Sequence, residues 1–267
     1  MIWQERILSL FRGTMETPKA FGGFHVLCLC IAVLVLGSLY LTKEHHTEKH
    51  LNVLLAIYGF GALILEIIKQ LIWTYSYDPA LNEITMNYQW YIFPFQLCST
   101  PMYCCLICLF AKKDTIQKYL FPYMSFVTIL GSIAVILVPS DCFVADTWVN
   151  IQTMWLHIGS FVVSAYLIMT DRVQLNIISL KNALVTFVFF VAIAVLMNVI
   201  VFKSDILGEE VFNMFYISPY FESNLPVFNT IQRNVPYPIF LFLYVFGLSI
   251  GACIILMITK LLKRPAR

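Results

Sequence analysis

The chain has 267 residues, of which 60% are apolar and 12% charged, whereas soluble domains average about 45–50% and about 25%. A net charge of +2 without a clustered basic face excludes nucleic acid as a partner. At about 20 residues per span, this length allows about six to eight transmembrane helices and no second sizeable domain. We therefore predict one all-α domain over residues 1–267, a polytopic transmembrane helix bundle.

The first predicted element is a short interfacial helix over residues 1–12. Trp3, Ile7 and Leu10 fall on one helical face, which is typical of a helix that lies on a membrane surface. A frayed polar tail is the alternative, because Gly13 soon interrupts the pattern.

Seven apolar runs follow, each of about the length that crosses a bilayer. The first run is longer than the core of a signal peptide and lacks a small-residue cleavage site, so we interpret it as a retained span. The predicted spans cover residues 21–41, 51–73, 91–110, 121–138, 150–170, 183–202 and 236–259.

Seven spans place the two termini on opposite sides of the membrane. Eleven Lys and Arg residues then fall on the side of the C-terminus, and five fall on the side of the N-terminus. Since cytoplasmic loops carry the excess of Lys and Arg, we predict a multi-pass protein of the cell membrane with its N-terminus outside and its C-terminus in the cytoplasm.

Polar side chains inside the second span form a compact group. Glu66, Lys69 and Gln70 are spaced i, i+3 and i+4 on one helical face. A charge at mid-span costs about 2.5–3.5 kcal/mol, so such residues need a partner or a function. Glu66 and Lys69 either neutralise each other or, together with Gln70, bind a substrate.

The third, fifth and sixth spans also carry polar groups. Two prolines, Pro94 and Pro101, each remove a backbone donor, and they predict an interrupted helix around Gln96 and Cys98. Span five bears a polar stripe, and span six bears one amide. The stripe comprises Thr153, His157, Ser160 and Ser164, and the amide is Asn198.

Cys98, His157 and Glu66 each lie seven residues from the outer end of a predicted span, at a depth of about 10 Å. A thiol and an imidazole in one layer are a plausible nucleophile and base. Asn198 or Glu66 could hold the His157 tautomer, and Gln96 could supply an oxyanion donor. In the alternative interpretation, Cys98 only packs and His157 is an interhelical hydrogen-bond donor.

The run from Trp90 to Cys98 (WYIFPFQLC) is followed about sixty residues later by the run from Trp155 to Gly159 (WLHIG). Together they resemble the YwaF-type integral membrane proteins, which are similar to eukaryotic acyltransferases that remodel ether phospholipids with a cysteine as active centre. The resemblance implies that Cys98 carries the acyl group and His157 assists it. It also implies that Asn198 and the segment that begins at Asn213 are family positions.

We therefore expect a membrane-embedded acyltransferase or lipid acyl hydrolase that works through a thioester on Cys98, with His157 as base. Its partners would be membrane phospholipids or lysophospholipids, and we expect no cofactor and no metal. Ser160 joins the residues expected to bind substrate. A transporter or lipid-binding module built around Glu66, Lys69 and Gln70 is the alternative from another class, and a scaffold without chemistry is a third.

Overall fold

A computed structural model of the protein describes residues 3–111, 114–139 and 142–263. The helices in chain order are α1 (Trp3–Ser9), α2 (Gly23–Thr42), α3 (Glu48–Thr74), α4 (Thr100–Ala111), α5 (Asp114–Tyr123), α6 (Ile129–Leu137), α7 (Thr147–Met169), α8 (Ile177–Lys203), α9 (Pro226–Asn234) and α10 (Tyr237–Leu262). Between α3 and α4, strands β1 (Tyr75–Asp78) and β2 (Glu83–Met86) pair antiparallel, with Tyr75 opposite Met86 and Asp78 opposite Glu83.

Within the described residues, six helical segments are long and apolar enough to cross a membrane. They are α2, α3, the joined α5 and α6, α7, α8 and α10. Apolar side chains cover their outward faces, which is how a helix bundle meets lipid. The prediction of an all-α transmembrane bundle is confirmed.

A short N-terminal helix is present as α1, which ends at Ser9 rather than at residue 12. Its predicted first two positions, Met1 and Ile2, lie outside the described residues, and its position on the membrane surface stays a prediction. The buried Glu5 carboxylate accepts from Arg12 at 2.9 Å, and Arg12 also donates to the carbonyl of Tyr75 at 2.6 Å. These bonds fix α1 at the end of α3.

The third predicted span, 91–110, differs from the structure in its first half. Helix α4 begins only at Thr100 and has 12 residues, or about 18 Å, which is well short of a hydrocarbon core about 30 Å thick. Pro101 fits the first turn of α4, where a missing N–H is tolerated. Pro94 excludes a helix before it, so the chain makes two 3₁₀ turns there instead, at Trp90–Ile92 and Leu97–Ser99.

The two ends of α3 identify the two faces of the bundle. Near its start, Glu48 pairs with Arg172, and the neighbouring Asp171 accepts from Lys263 at 2.7 Å. Its other end adjoins Tyr75, which holds Arg12. The segment after α1 and the end of α10 therefore lie at opposite ends of the bundle, while the cytoplasmic assignment of one end stays a prediction. Four of the basic residues counted for that end are outside the described ranges, namely Lys112, Lys113, Arg264 and Arg267.

Helix α7 is the centre of the bundle and α2 is its least buried span. Of the apolar window of each helix, 67% is buried inside the chain for α7 and 11% for α2. Helices α3 and α7 approach closely because each presents a glycine to an aromatic ring of the other. A Cβ on Gly61 would lie 2.6 Å from Trp155, and one on Gly159 would lie 2.6 Å from Tyr58.

A single π turn, Met124–Thr128, joins α5 to α6 and is wholly buried. The Met124 carbonyl accepts from the hydroxyls of Thr128 at 3.0 Å and of Ser164, on α7, at 2.8 Å. Side chains thus satisfy the backbone where the regular ladder of the helix is interrupted.

Candidate functional site

A buried carboxylate on α3 organises the polar centre of the bundle. Glu66 is 3% exposed, and its Oε1 accepts from Lys69 at 2.7 Å and from Gln70 at 2.8 Å. Its Oε2 accepts from Gln152 of α7 at 2.8 Å. Gln70 also donates to the carbonyl of Ile92, at 2.8 Å. The network therefore ties together α3, α7 and the first 3₁₀ turn, and it confirms that Glu66 and Lys69 form an ion pair.

Gln152 is a member of this centre that the sequence did not point to. It precedes the polar stripe of span five by one position, so it falls off the helical face that the stripe defines. The only signal in the sequence is that an amide inside a span requires a buried partner.

The 3₁₀ turn Leu97–Ser99 carries Cys98 and packs against α7, the helix of His157. The thiol is partly buried and interacts electrostatically with Lys69, Glu66 and Cys142. The interrupted start of the third span thus brings Cys98 to the charged pair of α3.

His157 is 7% exposed, and its Nδ1 is buried without a hydrogen-bond partner among the residues that the structure describes. The hydroxyl of Tyr58 donates to the carbonyl of the preceding residue, Leu156, at 3.3 Å. That hydroxyl also lies beside the buried side chain of Ser160, one turn further along α7. His157 is therefore held by packing, while an imidazole nitrogen is left unpaired.

Two predicted site residues hold the loop after α8. The Asn198 side chain donates to the Met214 carbonyl at 3.0 Å and accepts from the Met214 N–H at 2.7 Å. Gln96 donates to the Asn213 carbonyl at 2.9 Å and accepts from the Phe215 N–H at 2.8 Å. Within the described part of the chain, neither Asn198 nor Glu66 hydrogen-bonds to His157, so the structure offers no orienting group of the kind predicted.

Asn213 closes the same loop on itself. Its side chain donates to the carbonyl of Glu222 and accepts from the N–H of Ser218, both at 2.8 Å. Between these anchors, Phe215 and Tyr216 adopt positive φ angles of 58° and 57°. Such a conformation is costly for large side chains and persists only where the surroundings impose it.

Tyr216 belongs to the segment beginning at Asn213 that the resemblance marks as family positions, although the sequence predicted no role for it. Burial and the nearby thiols of Cys98 and Cys142 raise the pKa of Tyr216 to about 12. A phenol is protonated at neutral pH even at its ordinary pKa, so Tyr216 can act as a hydrogen-bond donor near Cys98.

The structure thus divides the predicted site residues into two groups. Glu66 and Lys69 lie near Cys98, and Gln70 joins them through its hydrogen bond to Glu66. His157 and Ser160 are on α7, the helix that packs against the Cys98 turn. The other group, Gln96, Asn198 and Asn213, positions the loop that carries Tyr216.

This bundle, with a thiol, an imidazole and an ion pair enclosed between its helices, defines a polytopic α-helical membrane protein with a buried polar centre. The model of the TMEM164 family matches residues 20–259, so it covers all the predicted site residues. The chain belongs to the TMEM164 family, a family of transmembrane proteins. Comparison with curated proteins and with solved structures gave no match.

Proposed function

We propose that the protein is a membrane-embedded acyltransferase that acts on phospholipids through a thioester on Cys98. His157 accepts the thiol proton, and the thiolate attacks the carbonyl carbon of a lipid ester. The ester C–O bond breaks, and the lysolipid oxygen leaves with the proton from His157. A lysolipid hydroxyl then gives its proton to His157 and attacks the thioester, which releases the Cys98 thiolate to be protonated again. Water in place of that hydroxyl makes the reaction a hydrolysis.

The unpaired Nδ1 of His157 is the observation that carries this proposal. Leaving a buried polar group without a partner costs about 1–3 kcal/mol, and most buried polar side-chain atoms in proteins are paired. The Nδ1 of His157 is nevertheless unpaired, and His157 lies on the helix against which the Cys98 turn packs. Within the described part of the chain, His25 and His46 also carry an unpaired ring nitrogen, and His157 differs from them in lying on a central helix of the bundle. A histidine that exchanges protons with a substrate needs such a free nitrogen.

One charged neighbour of Cys98 favours its thiolate and the other opposes it. The ammonium of Lys69 stabilises a nearby thiolate, whereas the carboxylate of Glu66, the ion-pair partner of Lys69, disfavours it. Formation of the thiolate is therefore assigned to proton transfer to His157. Because the loop holds the Gln96 amide through both its nitrogen and its oxygen, the amide is fixed towards the loop, and we assign the oxyanion donor to the protonated phenol of Tyr216 instead.

The resemblance to YwaF-type proteins and to cysteine-centred ether-phospholipid acyltransferases supports the proposal and stays a prediction. The transporter alternative gains no support from Glu66, because three donors from the protein occupy its carboxylate. A substrate would have to displace them.

Intact-mass analysis of protein purified from its native membrane tests the proposal. We expect a long-chain acyl adduct that hydroxylamine removes and that maps to Cys98. Cys98→Ala should lose the adduct, whereas Cys142→Ser, a change at a neighbouring thiol, should keep it. An adduct that persists in the Cys98→Ala protein, or transfer activity in that variant, would overturn the assignment.

A further inference from the structure

A groove runs along the membrane-facing side of the bundle, between α2, α3 and α7. Its walls are almost entirely apolar, and its volume is about 370 Å³. Its lining includes Phe24, Ile31 and Val35 of α2, Tyr58 of α3, and Trp155 and Ile158 of α7. From Phe24 to Val35 the groove extends about 16 Å along α2. The groove is thus long and apolar, and it runs along the spans rather than across them.

Tyr58 connects the groove with the candidate site, because it contacts both. Its ring lines the groove and lies over Gly159. Its hydroxyl reaches the carbonyl of Leu156, next to His157, and interacts electrostatically with the Cys98 thiol. A group lying in the groove would therefore be one ring away from the proposed nucleophile.

We infer that this groove holds the acyl chain of the lipid that reacts at Cys98, an inference that rests on the proposed function. The volume is about twelve times the share of one water molecule in the liquid, about 30 Å³, and a methylene group is of similar size. The groove therefore accommodates about twelve methylenes, most of a long acyl chain.

The occupant follows from the position of the groove as well as from its size. Helix α2 packs mainly against α7, so a lipid tail can enter sideways from the bilayer. Transfer of a lipid tail from the bilayer into the groove yields little hydrophobic free energy, because the bilayer interior is as apolar as the groove. The contribution of the groove is to position the chain so that the ester carbonyl meets the thiol.

Photocrosslinking tests the inference without requiring turnover. The probe is a phosphatidylcholine with a diazirine in mid-chain, incorporated with the full-length protein into lipid nanodiscs. We expect adducts on Ile31, Val35 and Ile158 in excess over Val33 and Leu34, two α2 residues exposed to about 70%. Even labelling of both faces, which annular lipid would give, or crosslinks between two copies through groove residues, would overturn the inference.

Two substitutions on α2 provide a matched pair. Ala32 is 8% exposed and lines the groove, whereas its neighbour Val33 is 69% exposed. Ala32→Phe fills the groove and should lower its labelling about tenfold, equivalent to about 1.4 kcal/mol, while Val33→Phe should leave it unchanged. If both variants retain full labelling of the groove residues, the chain does not lie there.

The same probe applied to Cys98→Ala separates this inference from the proposed chemistry. If the groove is labelled in that variant and the unsubstituted protein carries no acyl adduct on Cys98, the groove is a lipid site and the proposed transferase activity is wrong. If Cys98 carries an acyl adduct but both faces of α2 are labelled evenly, the transferase activity is supported and the assignment of the groove is wrong.

Discussion

Glu66 and His157 are both buried in the polar centre of the bundle, but they differ in the number of partners that their polar atoms have. The Glu66 carboxylate receives three hydrogen bonds or ion-pair contacts from Lys69, Gln70 and Gln152. The Nδ1 of His157 receives none from the described residues. One group is fully compensated within the protein, and the other is not.

This difference separates polar residues that hold the fold from those available for chemistry. A saturated carboxylate stabilises the arrangement of three segments, and a substrate would have to break its bonds. An unpaired imidazole nitrogen adds nothing to stability and remains available to a ligand or a proton. In the proposed function, the satisfaction of hydrogen bonds distinguishes the roles of these two residues better than their polarity or depth does.

The largest expected effect is the loss of activity when His157 is replaced. His157→Leu should lower acyl transfer about 10²–10⁴-fold, since that is the usual contribution of a general base. The free energy of unfolding should stay equal or rise, because an unpaired polar atom is removed. Transfer assays and thermal unfolding in detergent measure the two quantities. Thr153→Val, one turn earlier on α7, is the control, and an active His157→Leu protein would remove His157 from the mechanism.

Replacing Glu66 should have its main effect on stability. Glu66→Gln alone leaves Lys69 without its counter-charge and should cost about 3–5 kcal/mol of unfolding free energy. The double variant Glu66→Gln, Lys69→Met should recover most of that loss, because a neutral pair of similar volume replaces the ion pair. Thermal unfolding of the three proteins decides this. A double variant that is folded but inactive would show that the pair also serves catalysis.

Asn198 should show a smaller effect on stability. Asn198→Ala leaves the N–H and the carbonyl of Met214 unpaired in a buried loop and should cost about 1–3 kcal/mol. Asn198→Asp keeps the acceptor but directs a second oxygen at the Met214 carbonyl in a buried site, so it should lose at least as much. Limited proteolysis of residues 204–225, followed over time, should reveal the released loop. Unchanged protection in the alanine variant would contradict the anchoring role.

The smallest effect is expected at an exposed ion pair, Glu222 with Arg233, which is the surface counterpart of Glu66 with Lys69. Hydrogen bonding to Arg233 lowers the pKa of Glu222. The contribution of this pair is therefore present above the ordinary pKa of a glutamate and is lost as the pH falls through the lowered one. Glu222→Gln should remove that pH dependence while changing neutral-pH stability little, because solvent screens the pair. A large loss at neutral pH would contradict this expectation.

The features that could be predicted from the sequence are those determined by residues close together in the chain. Long apolar runs identify the spans, and the i, i+3, i+4 spacing of Glu66, Lys69 and Gln70 places them on one face. The ion pair follows from that spacing. Pro94 and Pro101 predict the interrupted helix around Cys98. The apolar run around them nevertheless predicted a full span, because hydropathy is insensitive to a missing backbone N–H.

Contacts between distant segments were beyond the reach of the sequence. Gln152 meets Glu66 across 86 positions, and Gln96 meets Phe215 across 119. Nothing local to Asn198 or Gln96 specifies that their amides satisfy loop backbone rather than assist catalysis. The left-handed pair Phe215 and Tyr216 is equally hidden, because the anchors that impose it come from α8 and from the segment before α4.

The π turn at Met124–Thr128 gives α5 and α6 one residue more than a regular helix of that height would hold. Deleting one residue there would let the helix close into an uninterrupted α-helix, and everything after the deletion would turn by about 100°. Ser132, now buried, would swing away from its present neighbours, and the Met124 carbonyl would lose the side-chain donors that it now has. One residue thus determines how α6 is rotated about its axis relative to α5. Insertions and deletions should therefore be tolerated in the exposed connections of the chain and not at this turn.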